Sequence, residues 1–233
     1  MERIEKINTL IKGRSEAEAI KVLAEAFWGK VVFSTSLGYE DQVITHFIFS
    51  NDLPVKIFTL DTGRLFTETI MVLEDTIDRY KKDIEVYHPE ADSVEKFVDE
   101  KGLNSFYESV ENRKECCYIR KVEPLKRALA GNEIWITGIR AEQSGGRKEM
   151  PQVEWDEANQ IIKFHPILHW SFEEVKSFVD LNNIPYNTLH DRGYISIGCG
   201  PCTRAIKPGE DFRAGRWWWE NSSAKECGLH VTN

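Results

Sequence analysis

Lys30-Val-Val-Phe-Ser-Thr-Ser-Leu-Gly38 decides the fold. Val31, Val32 and Phe33 form an apolar run with no helical period, so Lys30 to Ser36 reads as a short strand buried on both faces. Small and hydroxyl-bearing residues follow from Ser34 to Gly38, and a helical pattern returns over Glu40 to Ser50. A strand that turns through such a loop into a helix is the start of a βα unit.

The same alternation continues downstream. Val55–Leu60 reads as a second strand, Leu65–Tyr80 as a helix and Ile84–Tyr87 as a third strand. Ser93–Val110 holds one or two helices, and Glu115–Ala130 reads as another. Glu133–Ile139 and Ile161–Phe164 are the fourth and fifth strands, and Phe172–Leu181 is helical. Upstream, Ile4, Ile7, Leu10 and Ile11 repeat at helical spacing, as do Ala19, Val22, Leu23 and Phe27. The expected fold is therefore α/β, a twisted, mostly parallel sheet of Rossmann-like type with helices on both faces. In such sheets ligands bind beyond the carboxyl ends of the strands. The loops Ser34–Gly38, Asp61–Arg64 and Gly138–Ser144 all follow strands and would meet on that rim.

Composition removes several function classes. The chain has 233 residues, 41% hydrophobic and 29% charged, which is ordinary for a globular protein. Asp and Glu number 38 against 30 Lys and Arg, a net charge of −8, which argues against a sequence-independent grip on nucleic acid. No apolar run approaches the ~18 residues of a membrane span. The N-terminal MERIEKINTLIKGR has no apolar core of a secretory signal. The expectation is a cytoplasmic protein with reduced thiols, so its five cysteines read as metal ligands or reactive thiols.

Several groups carry chemistry. The hydroxyls and backbone N–H groups of Ser34, Thr35, Ser36, Leu37 and Gly38 suit a phosphate; the plain alternative is a capped turn. Asp61-Thr-Gly63-Arg64 offers an acceptor for a nucleoside and a cation for a phosphate, or else caps a helix. Cys116-Cys117, placed near the start of the Glu115–Ala130 helix, and Cys199-Gly-Pro-Cys202 make four potential thiolates. Zinc, an iron–sulfur cluster, a redox CxxC pair or buried structural cysteines all remain open. The adjacency of Cys116 and Cys117 favours a cluster over zinc, whose ligands are ordinarily spaced by a few residues. Cys227, in Lys225-Glu-Cys-Gly-Leu-His230, stands alone near the terminus, where Lys225 and His230 would favour the thiolate; the plain alternative, and the ordinary one for an isolated cysteine, is an incidental surface residue. On a helix Arg213 and Arg216 would share a face and could clamp a polyanion; the plain alternative is a solvated charged face. Of Trp217, Trp218 and Trp219, some would cover the sheet rim.

Together these residues resemble the assimilatory sulfonucleotide reductases, most closely the iron–sulfur branch that acts on adenosine 5′-phosphosulfate (APS). The resemblance runs from about residue 30 to the end. It rests on Ser34-Thr-Ser-Leu-Gly-Tyr-Glu-Asp41, Leu60-Asp-Thr-Gly63, Cys116-Cys117 with Arg120-Lys121, Cys199-Gly-Pro-Cys202, Arg213 with Arg216, and Glu226-Cys-Gly-Leu-His230.

The resemblance implies an adenine-nucleotide α-hydrolase-like fold, with residues 1–205 as the nucleotide-binding domain and 206–233 as a catalytic extension. It implies one [4Fe-4S] cluster on Cys116, Cys117, Cys199 and Cys202. It implies that Cys227 attacks the sulfur of APS, giving an S-sulfocysteine and AMP, and that thioredoxin then releases sulfite. Ser34 to Gly38, Asp61, Gly63, Arg64, Lys121, Arg140, Arg213, Arg216 and His230 would contact substrate. The 3′-phosphorylated relative PAPS stays open as a substrate, as do a homo-oligomeric state and the role of Glu40 and Asp41. Two rivals remain. One is a tRNA-thiolating ATP pyrophosphatase, which would carry Ser-Gly-Gly-x-Asp-Ser in place of Ser34-Thr-Ser-Leu-Gly38. The other is a non-catalytic zinc and nucleotide-binding protein.

Overall fold

A computed structural model describes residues 2–143, 147 and 149–220. Two helices come first. Helix α1 (Glu2–Ile11) buries Ile7 and Ile11. Helix α2 (Glu16–Ala26) begins at a capping box, with the Ser15 hydroxyl accepting from the Glu18 backbone and the Glu18 carboxylate accepting from the Ser15 backbone.

Strand β1 (Val31–Thr35) then leads through the short loop into helix α3 (Tyr39–Ser50). Strand β2 (Lys56–Leu60) precedes helix α4 (Thr67–Tyr80) and the three-residue strand β3 (Glu85–Tyr87). Strand β4 (Ile134–Ile136), strand β5 (Val153–Asp156) and strand β6 (Ile161–Phe164) follow, with helix α8 (Phe172–Leu181) after them. The six-stranded sheet runs β3-β2-β1-β4-β6-β5. β1 is parallel to β2 and β4, β4 is parallel to β6, and β5 is antiparallel to β6. Every residue of β4 and β6 is buried, as expected of central strands covered on both faces.

Strand β5 was not expected. It is a sheet edge whose Glu154 and Trp155 are not buried, so it lacks the apolar run that marks the others. The expected helix over Glu115–Ala130 is also divided differently. Helix α5 (Ala91–Lys101) is followed by helix α6 (Val110–Cys117), a π-helical segment (Tyr118–Val122) and helix α7 (Glu123–Leu129). The cause of the early start is Ser109, whose hydroxyl accepts from the Asn112 backbone and caps the helix ahead of the cysteines. Cys116 and Cys117 therefore end a helix rather than start one.

The chain forms two compact units. The first comprises residues 1–59, 68–85 and 131–187, and its core joins Phe33, Ile44, Ile57, Ile136 and Phe164. The second comprises residues 60–67, 86–130 and 188–233. Its apolar cluster contains Phe97, Phe106, Trp217 and the cysteines Cys116, Cys199 and Cys202. Among the described residues no helix is long and apolar enough to cross a membrane.

Candidate active site

In the first unit, the loop after β1 is organised from within. The Asp41 carboxylate accepts from the Ser36 backbone N–H at 2.5 Å and from its hydroxyl at 2.6 Å. The Leu37 N–H donates to Thr35 Oγ1 at 3.0 Å, which supports Leu37 at φ 62°. The N–H groups of Ser36 and Leu37 are thus engaged inside the loop, where an anion-binding reading would have them point outward. Ser34 Oγ accepts from Trp135 Nε1 at 2.8 Å, which leaves its hydroxyl hydrogen as a donor.

Burial pushes the Asp41 carboxyl from the ordinary 3.8 up to about 6, against the lowering effect of both Ser36 bonds. Gly138 is what allows Asp41 to sit there. A Cβ on Gly138 would stand 2.0 Å from Asp41 Oδ1. Arg140 is fully buried, and its guanidinium donates to Glu40 at 2.9 Å and to Glu142 at 2.6 Å. Glu40 and Asp41 are therefore the braces of this loop. The signal in the sequence was two acidic residues in the first turn of a helix whose cap, Gly38, has no side chain.

In the second unit, Cys116, Cys117, Cys199 and Cys202 line one small cavity. Arg64, Arg113, Arg120 and Lys121 line it too. Arg113, Cys116 and Arg120 recur at helical spacing, which turns them to one face of the rod that α6 and its π segment form. Cys199 and Cys202 come from a Gly/Pro turn, anchored by Gly200 N–H donating to the Arg64 carbonyl at 2.7 Å.

Burial raises the Cys199 thiol, but Lys121, a bond to Thr62, Arg216 and Arg120 outweigh it and hold the thiol below its ordinary value. Burial and the neighbouring Cys199 push Cys202 up to about 12, and burial also raises Cys116. The Thr62 hydroxyl lies 3.3 Å from Cys199 Sγ, and Arg120 donates to the Thr62 carbonyl at 2.7 Å.

Asp61 closes a turn by accepting from the Gly63 N–H at 2.8 Å and does not cap α4, which begins at Thr67. Gly63 adopts φ 68°, and a Cβ there would stand 3.4 Å from Arg120 Nη1. Arg64 donates to the Leu103 carbonyl at 2.5 Å and lies over the Phe106 ring at 5.0 Å.

Arg213 and Arg216 do not share a helix face. Glycines and prolines break this stretch, and Arg216 instead bridges Thr203 in extended backbone. Its guanidinium occupies the space a Gly198 side chain would need, with Arg216 Nη2 2.4 Å from the built Cβ. Trp217 is buried with the cysteines, whereas Trp218 is exposed. Cys227 and His230 lie outside the described residues.

As the atoms stand, no group of three or more His, Cys, Asp or Glu side chains among the described residues is set to hold a metal ion. The donor chemistry nevertheless fits a polythiolate-bound group. Four cysteines face one cavity, and the cations around it suit the negative charge that four thiolates bring.

The first unit therefore brings together Ser34, Thr35, Ser36, Leu37 and Gly38 with Glu40, Asp41 and Arg140. The second gathers the four cysteines with Arg64, Lys121 and Arg216. Sequence reading offers Thr62 only as an alternative helix cap and does not single out Arg113 or Glu220. Arg113 had a signal, one helical turn before Cys116; Glu220 had none.

Residues 30–205 match the phosphoadenosine phosphosulfate reductase domain. A protein from Allochromatium vinosum named adenosine 5′-phosphosulfate reductase is 54% identical over 217 residues, covering 92% of this chain and 85% of the relative. One of the same name from Neisseria meningitidis is 50% identical over 200 residues, covering 85% and 81%. Among solved structures, the phosphoadenylyl-sulfate (PAPS) reductase from Candida auris, a phosphate complex, aligns with a TM-score of 0.74 at 29% identity. That alignment covers 88% of this chain and 97% of the other.

Proposed function

The chain belongs to the phosphoadenosine phosphosulfate reductase family, and from that premise we propose that Cys227 is the nucleophile of a two-step reduction of APS. The activity is that of an oxidoreductase, reduction of adenosine 5′-phosphosulfate in sulfate assimilation. In the first step the Cys227 thiolate attacks the sulfate sulfur. An S–S bond forms, the bond from sulfur to the bridging oxygen breaks, and AMP leaves with that electron pair. In the second step a thiolate of thioredoxin attacks Cys227 Sγ, and sulfite leaves with the pair of the broken S–S bond. The second thioredoxin thiol then resolves the mixed disulfide, so the reductant supplies both electrons.

The residues divide the work. Lys121, Arg213 and Arg216 offset the charge that moves onto AMP as it departs. Ser34 to Gly38 hold the anionic end of the substrate, with Ser34 and Thr35 offering their hydroxyl hydrogens, while Asp61, Gly63 and Arg64 meet the nucleotide. Arg140 acts through Glu40, to which it is bonded, and His230 positions substrate or tail. Residues 206–233 act as the catalytic extension.

Cys116, Cys117, Cys199 and Cys202 would hold a [4Fe-4S] cluster. When bound, the cluster supplies a fixed charge and a cross-link between the two cysteine pairs, and no electrons for the reaction. The protein works in the cytoplasm.

The observation that carries this reading is the gathering of both cysteine pairs with Lys121 and Arg120 at one cavity. The test is the intact mass of reduced, iron-loaded protein mixed with APS, and separately with PAPS, in the absence of thioredoxin. One sulfonate on Cys227 from APS, absent in Cys227→Ser, is the expected result. An adduct from PAPS alone would change the substrate, and no adduct from either would overturn the nucleophile.

A further inference from the structure

Glu220 is the last described residue of the chain, seven positions before Cys227, and it is held in an unusual way. Its carboxylate accepts from Arg113 Nε at 2.8 Å and from Arg113 Nη2 at 2.9 Å, a two-pronged ion pair. Both side chains are almost completely buried, at 1% and 3% exposure. Arg113 lies on α6 one turn before Cys116, and it lines the cysteine cavity.

The residues between are locked as well. Trp217 N–H donates to the Cys202 carbonyl at 3.2 Å, and Glu220 N–H donates to the Trp217 carbonyl at 2.9 Å. The Trp217 ring has the Arg113 and Arg216 guanidinium carbons each 4.7 Å from its centroid. Trp217 adopts φ 41°, a left-handed conformation that a bulky residue takes only where its surroundings enforce it. Exchanging such a buried ion pair for apolar residues is often neutral or stabilising, so stability alone is a weak reason to keep one.

We propose that Arg113 and Glu220 are positioning residues that fix the root of the Cys227 tail to the helix carrying Cys116 and Cys117. The inference rests on Cys227 being the nucleophile. Cys227 follows Glu220 by seven residues, so fixing Glu220 bounds the distance between them to at most about 25 Å. Freeing residues 217–220 lengthens the tether from seven to eleven residues. By length alone that lowers the effective concentration of the thiol about twofold, and losing the fixed exit direction lowers it further.

Glu220→Gln keeps the shape and breaks the ion pair. Arg113→Lys keeps the charge and loses the two-pronged geometry, and it serves as the second variant if the first does not fold. Iron-loaded full-length protein is mixed with saturating APS, and the rate of Cys227 sulfonation is read by quenched intact mass. APS affinity, iron per chain and the alkylation rate of Cys227 by a neutral reagent are measured alongside.

The expected result is a fall of threefold or more in the saturating sulfonation rate. Affinity, iron content and alkylation rate should stay within about twofold of the wild type. A sulfonation rate equal to wild type in either folded variant overturns the proposal, as does a loss that only follows lost iron and lost affinity. If wild-type protein itself forms no adduct on Cys227, the nucleophile assignment fails and this inference with it. If the wild type reacts and the variants match it, only the anchoring of the tail root fails.

Discussion

Gly138→Ala tests whether the loop after β1 depends on the Asp41 brace. The added Cβ would fall 2.0 Å from Asp41 Oδ1, 3.2 Å from Asp41 Cγ and 3.3 Å from Glu40 Cβ. The first of these contacts is more than 1 Å too short, so Asp41 must move or the end of β4 must retreat. Overpacking of this kind costs about 1–3 kcal/mol, or roughly 2–12 °C in melting temperature for a chain of this size. If Asp41 moves, Ser36 loses both of its bonds to the carboxylate. One such charge-assisted bond is worth about 1.5–3 kcal/mol, so APS affinity should fall by about tenfold or more.

Calorimetric binding of APS and differential scanning of the same samples give both quantities. Adding Asp41→Ser to Gly138→Ala removes the group that clashes, so the melting temperature should recover while affinity does not. A Gly138→Ala protein with unchanged melting temperature and unchanged affinity would show that Asp41 is not held against Gly138, and the account of the loop would fall.

Three other outcomes are expected. Asp41 titrates near 6 in the folded protein against 3.8 ordinarily, so its burial penalty is absent below about pH 4, grows as pH rises through 6, and reaches about 3 kcal/mol at neutral pH. Asp41→Asn should therefore melt higher than wild type at pH 8, with the gap closing between about pH 6 and 4; a gap independent of pH would contradict the buried, raised carboxyl. Cys116→Ser should lose iron and acid-labile sulfide, as measured colorimetrically, and full iron content would remove Cys116 from the ligand set. Gly198→Ala places a methyl group 2.4 Å from Arg216 Nη2 and must expel that guanidinium. APS affinity should weaken severalfold with a shallower salt dependence, and an unaltered salt dependence would place Arg216 outside the anion site.

Central elements of the fold were legible because their physics is local. The apolar runs of β1, β4 and β6 announce themselves in any window. The edge strand β5 was not legible. Its buried positions include Asp156, which accepts from Lys163 at 2.6 Å, an ion pair across two strands that no single-window pattern contains. The same limit applied at the site. The cysteines and Lys121 stood out by type and spacing, but the roles of Thr62, Glu40 and Glu220 depend on partners far away in sequence. Helical spacing also misled at Arg213 and Arg216, where Gly215 lies so close to the Arg204 carbonyl that a Cβ would stand 2.3 Å from it.

Charge explains why the second unit is built as it is. Arg120 and Arg216 are each 7% exposed, and Arg113 is 1% exposed. Buried cations need counter-charge or hydrogen-bond acceptors, and neutral thiols supply little of either. Arg113 has Glu220, and Arg120 has the Thr62 carbonyl. Arg216 Nε, in contrast, has no hydrogen-bond partner among the described residues. The balance closes when the cysteines are held as thiolates and an anion lies against the remaining donors. In the proposed function, iron ligation fixes Arg120, Lys121 and Arg216 in place for the substrate anion, and this ordering outweighs the repulsion between the thiolates and that anion, so each makes the other more favourable. Under the proposed function, that coupling would give the four cysteines a part in a reaction whose electrons they do not carry. It also requires that stripping iron weaken APS binding in protein whose Lys121, Arg120 and Arg216 are intact.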